Sequence, residues 1–171
     1  MKRLLLLRHA KSSWSDPSLA DFDRPLAKRG ERDAPLMGAR LRARRERPSL
    51  IVTSPARRAL RTAELVSQAL GYPREFLQPE RGLYLADAAG ILAVIAAQED
   101  RISNLLVVAH NPGMTVLANR LLPDLRLDNL PTAGVVALDL DVDAWRAAPD
   151  AVGRLAYYDY PKNPELLVIE D

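Results

Sequence analysis

The sequence predicts an α/β protein in which helices cover a mainly parallel sheet. Three observations carry that expectation. Apolar runs without polar alternation, within Arg3 to Arg8, Ser49 to Ser54 and Asn104 to Ala109, read as strands buried on both faces. Segments of helical spacing lie between them, and the order strand, helix, strand, helix is that of a helix-covered sheet.

Taken in order, Arg3 to Arg8 is the first strand. After a polar stretch through Pro25, Glu31 to Arg45 is helical, with Leu36, Met37 and Leu41 apolar. Pro35 interrupts it, because proline is tolerated only in a first turn, so either Asp33 caps a start just before it or the helix bends. SLIVTS, Ser49 to Ser54, is the second strand and stops at Pro55. From Ala56 the set Ala59, Thr62, Ala63, Val66 and Leu70 keeps helical spacing, and Gly71 supplies the stop. Asp87 caps a helix to about Gln98, Asn104 to Ala109 is the third strand, and Thr115 to Leu122 is a short helix. Ala133 to Asp141 and Arg154 to Tyr158 are late strands, one of them an edge. The tail after Tyr160 reads as a loosely held terminus.

Length and charge exclude several classes. The 171 residues, 48% of them hydrophobic, suit one domain spanning 1–171. A surplus of 24 basic over 22 acidic residues is too small for a protein that coats nucleic acid. The absence of cysteine removes disulfides, thiol nucleophiles and thiolate metal sites, and fits a cytoplasmic protein. The apolar run in MKRLLLLRH is too short for a signal peptide or a membrane span.

In sheets of this kind ligands gather at the carboxyl ends of strands. Here three strands end in reactive groups: Arg8-His9, Ser54-Pro55 leading to Arg57 and Arg58, and His110-Asn111. The chain has only two histidines, and each closes an apolar run. Two imidazoles and at least two guanidiniums at one rim describe a site for a doubly charged oxyanion, for which phosphate is the obvious occupant. A helix start after Pro55 adds backbone N–H groups. Two histidines alone do not make a zinc site, which wants at least one more ligand.

The residues RHA at Arg8 to Ala10 with Trp14 beyond, SPARRALRTA at Ser54 to Ala63, and VAHNPG at Val108 to Gly113 together resemble the histidine phosphatase superfamily, the clan of phosphoglycerate mutases and phosphohistidine phosphatases. The stretch RHAKSSW…DFDRPLAKRG is most similar to its SixA-type branch. The resemblance implies a three-layer α/β/α sandwich around a mixed, mainly parallel sheet. It implies that His9 is the nucleophile, that Arg8 and His110 belong to the phosphate pocket, and that the Ser-x-x-x-Arg-Ala spacing selects Arg58 rather than Arg57. It implies no metal or organic cofactor. The chemistry is attack by a neutral imidazole nitrogen on phosphorus, then hydrolysis of the phosphohistidine, with the other ring nitrogen donating to fix the tautomer. Arg8, Arg58 and His110 would hold the equatorial oxygens.

The leaving-group acid is less legible. Glu80 in PERGLY stands near the place where mutase-like members carry a glutamate, with Asp21, Asp23 and Asp87 as other candidates. A phosphohistidine hardly needs an acid, since its nitrogen leaving group is easily protonated. Lys11 and Ser15 depart from the mutase pattern. The implied function is therefore a phosphatase acting on protein phosphohistidine. The alternatives are a small-molecule phosphomonoesterase, a phosphoglycerate mutase-like transferase, and a phosphate- or phosphoprotein-binding module without turnover. Phosphorylated protein or a small phosphomonoester is the expected substrate. The run Arg40 to Arg47, with five arginines, reads as a solvated helix end or as a docking surface for an acidic protein; no nucleic acid or membrane partner is expected.

Overall fold

Alternate residues of three adjacent strands feed two apolar layers, one on each face of a mixed sheet. In the computed structural model, which describes residues 1–164, six strands lie in the order β3-β2-β4-β1-β5-β6. They are β1 (Lys2–Arg8), β2 (Leu50–Thr53), β3 (Gln78–Pro79), β4 (Asn104–Ala109), β5 (Val135–Leu140) and β6 (Gly153–Asp159). The first four strands run parallel, and β5 and β6 are each antiparallel to the preceding neighbour in the sheet. Four helices complete the fold: α1 (Lys28–Ala43), α2 (Arg57–Leu70), α3 (Ala88–Ala96) and α4 (Gly113–Leu121).

Because strand side chains alternate, Leu5, Leu7, Ile51, Leu106 and Val108 meet Met37 and Leu41 of α1 and Ala63 and Val66 of α2. Leu4, Leu6, Val52, Leu105 and Val107 meet Ile91 and Ile95 of α3 and Leu117 and Leu121 of α4. The result is the expected three-layer α/β/α sandwich. No helix among the described residues is long and apolar enough to cross a membrane.

Helix α1 departs from expectation. It starts at Lys28 and runs through Pro35, so Asp33 does not cap it; Asp33 is buried inside the helix beside Arg29 and Arg32. Burial of Ala34, Met37 and Leu41 against α2 and the sheet outweighs the hydrogen bond lost at the proline. The two helices cross closely at Gly38, where a Cβ would come within 2.7 Å of the Ala69 Cβ. Strand β3 was not expected: two residues, one of them proline, carry no periodicity, and proline is acceptable there because the strand is an edge.

The arginine run is only partly solvated. Arg40 is drawn onto Asp159 (3.3 Å) and the Tyr160 carbonyl (2.9 Å), and the Arg44 guanidinium lies 3.9 Å over the Tyr157 ring. Buried Glu46 accepts from Arg3, Asn104 and Tyr157, tying the end of α1 to the sheet. Arg42, Arg45 and Arg47 stay exposed. The start of the tail is likewise held, with Asn163 donating to Asp159 at 3.2 Å; residues 165–171 lie outside the described residues.

Candidate active site

Strands β2, β4 and β1 are neighbours and parallel, so their carboxyl ends deliver Ser54, His110 and Arg8-His9 to one rim. The backbone there is pinned. His9 N donates to the Ala109 carbonyl (3.2 Å), Ser54 N to Val108 (2.9 Å), and Ala133 N to the carbonyls of both Arg8 and His9 (3.1 Å each). Ala133 adopts φ 59°, a left-handed conformation that a side-chain-bearing residue rarely takes, in order to reach them.

His9 is 7% exposed, and its Nδ1 lies 2.8 Å from the Ala10 carbonyl. A carbonyl can only accept, so Nδ1 carries the proton and Nε2 keeps its lone pair. Ala10 is itself anchored: its N–H donates to Thr62 Oγ1 (3.0 Å), whose hydroxyl donates to the Arg58 carbonyl in the first turn of α2 (2.7 Å).

The His110 ring stands 5.2 Å from that of His9, centroid to centroid, and its Nε2 is 2.7 Å from Ser54 Oγ. Arg8 Nη1 donates to the Leu130 carbonyl at 2.9 Å. Of the adjacent arginines in α2, Arg58 is 4% exposed and turns inward, while Arg57 faces solvent. The structure thus brings Arg8, His9, Arg58 and His110 to one end of the sheet.

The candidate acids are distributed differently. The Glu80 carboxylate accepts from Gly82 N (3.1 Å) and caps a short 3-10 turn, Arg81–Leu83; Asp87 caps α3 through Gly90 N (2.8 Å). Asp21 reaches the pocket arginine. Arg58 donates through Nη1 to its carbonyl (2.7 Å) and through Nη2 to its carboxylate (3.0 Å). Tyr84, which the sequence reading did not single out, donates its hydroxyl to the same carboxylate (2.6 Å) and sets its ring edge-on to His110, with centroids 5.6 Å apart. No periodicity or motif distinguishes Tyr84; only the fold brings residues 63 positions apart together.

Electrostatics keep both imidazoles neutral. Burial, and then the charges of His110, Arg58 and Arg8, press the His9 pKa down to about 3 against the opposing bond to Ala10. Burial and the Arg58 charge bring His110 to about 4. The Tyr84 hydroxyl and the guanidiniums of Arg58 and Arg24 outweigh desolvation and hold Asp21 at about 2, an ionised carboxylate at neutral pH. An imidazole with a lowered folded-state pKa binds its proton more readily in the unfolded chain. Stability is therefore complete above about pH 6.5 and is withdrawn as pH falls toward 4. Thermal denaturation between pH 7 and 4 in anion-poor buffer should show a steeper loss for the wild type than for His9→Asn; parallel curves would contradict the shift.

A family profile described as histidine phosphatase superfamily (branch 1) matches residues 4–81. A crystal structure from Agrobacterium tumefaciens, provisionally assigned as the phosphohistidine phosphatase SixA, is 30% identical. It superposes at a TM-score of 0.79 over 94% of this chain and 98% of its own. The chain belongs to the histidine phosphatase superfamily.

Within that superfamily it is of the SixA type and is an enzyme, a phosphatase. A protein histidine phosphatase SixA in complex with tungstate shares the fold, with a TM-score of 0.79 at 22% identity, over 93% of this chain and 97% of that one. An uncharacterized protein of Mycobacterium tuberculosis (strain H37Rv) is 38% identical over 112 residues, 66% of this chain and 67% of its own length. The profile match takes in two of the three strand ends of this histidine phosphatase, Arg8-His9 and Ser54 to Arg58; His110 lies beyond it.

Proposed function

We propose that this histidine phosphatase, acting as a single domain, hydrolyses protein phosphohistidine through a phosphohistidine intermediate on His9. The observation that carries the reading is the His9 Nδ1 bond to the Ala10 carbonyl, which leaves an unprotonated Nε2 on a ring 5.2 Å from that of His110 and within the field of Arg8 and Arg58. In the first step the Nε2 lone pair attacks phosphorus in line, the phosphorus–nitrogen bond to the substrate imidazole breaks, and that imidazole leaves with a proton taken from solvent. In the second, water attacks phosphorus and gives up a proton to solvent, returning the one taken in the first step. The bond to Nε2 breaks, inorganic phosphate departs and the imidazole is restored. Arg8, Arg58 and His110 hold the equatorial oxygens as charge redistributes.

The preference for phosphohistidine rests on the lack of a poised acid. Asp21 is ionised at neutral pH, and Glu80 is engaged by Gly82 N. An alkoxide leaving group needs a proton that general acid catalysis supplies at about 10²–10⁴-fold, whereas a phosphorylated imidazole or an activated aryl ester needs far less help. A turnover screen tests this. Phosphohistidine peptide and p-nitrophenyl phosphate should be hydrolysed much faster than alkyl phosphates, sugar phosphates or phosphoglycerates, and Glu80→Gln should change the fast pair little. Comparable kcat/KM across the series, with a loss for alkyl esters alone in Glu80→Gln, would make Glu80 a working acid and the protein a small-molecule phosphomonoesterase.

A further inference from the structure

We infer that Asp21 is a specificity-determining residue: its carboxylate, fixed between Arg58 and Tyr84 at the mouth of the pocket, selects phosphoryl donors whose leaving group bears no anionic substituent. The inference rests on the proposed pocket of Arg8, His9, Arg58 and His110, and deepens it.

Asp21 opens a short 3-10 segment, Asp21–Asp23, in the long connection from β1 to α1. Its carboxylate accepts from Tyr84 (2.6 Å), Arg58 (3.0 Å) and Arg24 (3.1 Å). The Asp21 side chain is 44% exposed and that of Arg58 5%, so the contact marks the border between pocket and solvent. Three donors from three segments of chain leave the carboxylate little freedom to swing away. Its charge also acts inside the pocket, where it favours the protonated form of His110 against burial and the arginines.

Charge balance gives this placement its meaning. Arg8 and Arg58 together match one dianionic phosphoryl group. A second anionic group on the leaving side would face Asp21, whose other cationic partner, Arg24, is already spent: it also donates to Ser12 and the Ser13 carbonyl and lies over the Trp14 ring. Two further cations at this edge, Arg57 and Arg81, are exposed, where water and salt screen them. A leaving group without an anionic substituent, or an imidazole protonated on its distal nitrogen, meets no such penalty. A carboxylate-bearing or bisphosphorylated substrate does.

The carboxylate charge is separable from support of Arg58, because the Asp21 main-chain carbonyl independently accepts from Arg58 Nη1 at 2.7 Å. Asp21→Asn keeps one oxygen as the acceptor for Tyr84 and Arg58, which both bond Oδ2, removes the charge, and gives up only the Arg24 bond to Oδ1, away from the pocket arginine. The test compares p-nitrophenyl phosphate with 3-carboxy-4-nitrophenyl phosphate, whose phenols are of similar acidity. Tungstate affinity, measured by calorimetry, is the second readout.

The wild type should favour the uncarboxylated ester. In Asp21→Asn that kcat/KM ratio should shrink about fivefold to tenfold, the scale of one unit charge several ångström away in a partly exposed site, with tungstate bound at least as tightly. An unchanged ratio overturns the inference. So does a changed ratio with loss of tungstate binding, which would make Asp21 a support for Arg58. A wild type that binds no tungstate overturns the reading of the pocket, and the inference with it.

Discussion

Replacing His9 with alanine should abolish the covalent intermediate and lower turnover by on the order of 10⁴-fold or more, as removal of an enzyme nucleophile does. Brief incubation of the wild type with labelled substrate, followed by quenching, should trap label that is lost in acid and survives base, the signature of a phosphorus–nitrogen bond. Neither a thiol nor the second imidazole is placed to inherit the role. The chain has no cysteine, and the only other imidazole, His110, has its Nε2 turned to Ser54 Oγ at 2.7 Å. Because His9 sits in backbone hydrogen bonds that alanine also makes, His9→Ala should still fold and bind tungstate. Label that withstands acid, or turnover that persists without His9, would remove the intermediate from the mechanism.

The second large effect separates two adjacent arginines. Arg58→Ala should lower kcat/KM about a hundredfold or more, roughly 3 kcal/mol of transition-state stabilisation, while Arg57→Ala should change it only slightly. The side chains leave the first turn of α2 in different directions. Arg58 is 4% exposed and enters the rim, whereas Arg57 is exposed and its side-chain hydrogen bond to the Asp23 carbonyl is 3.5 Å long. Steady-state kinetics on p-nitrophenyl phosphate decide the matter. Equal losses, or a larger loss for Arg57→Ala, would mean that Arg58 does not hold the transferred group.

What the sequence makes legible follows from how local the physics is. Strand β4 is read at its observed bounds because burial on both faces leaves an unbroken apolar run. Helix α2 is read to within a residue because its apolar spacing and the left-handed Gly71 at its end are properties of the segment alone. The start of α1 lies at Lys28 rather than Glu31, and of the two alternatives at Pro35 the cap at Asp33 fails, because packing against α2 carries the helix through the proline. Strand β3 carries no pattern in two residues.

The site divides in the same way. Arg8, His9 and His110 stand at strand ends, and Arg58 in the turn after one, so the element order alone gathers them. The contacts of Asp21 with Tyr84 and Arg58 depend on a loop fold that no periodicity encodes. The resemblance selects Arg58 by spacing; burial gives the physical reason for distinguishing it from Arg57.

The Thr62 hydroxyl has a consequence for how this scaffold can diversify. By taking the Ala10 N–H and giving its own proton to the Arg58 carbonyl, it joins the loop beside His9 to the first turn of α2. The loop beside the proposed nucleophile and the turn that carries its principal cation are thereby coupled through one hydroxyl. Asp21 and Tyr84 come from two other loops and reach this pair through the Arg58 guanidinium and the His110 ring. A change at the rim that spares the Asp21 carbonyl, which also holds Arg58, can therefore alter substrate range while the Thr62 link keeps its geometry.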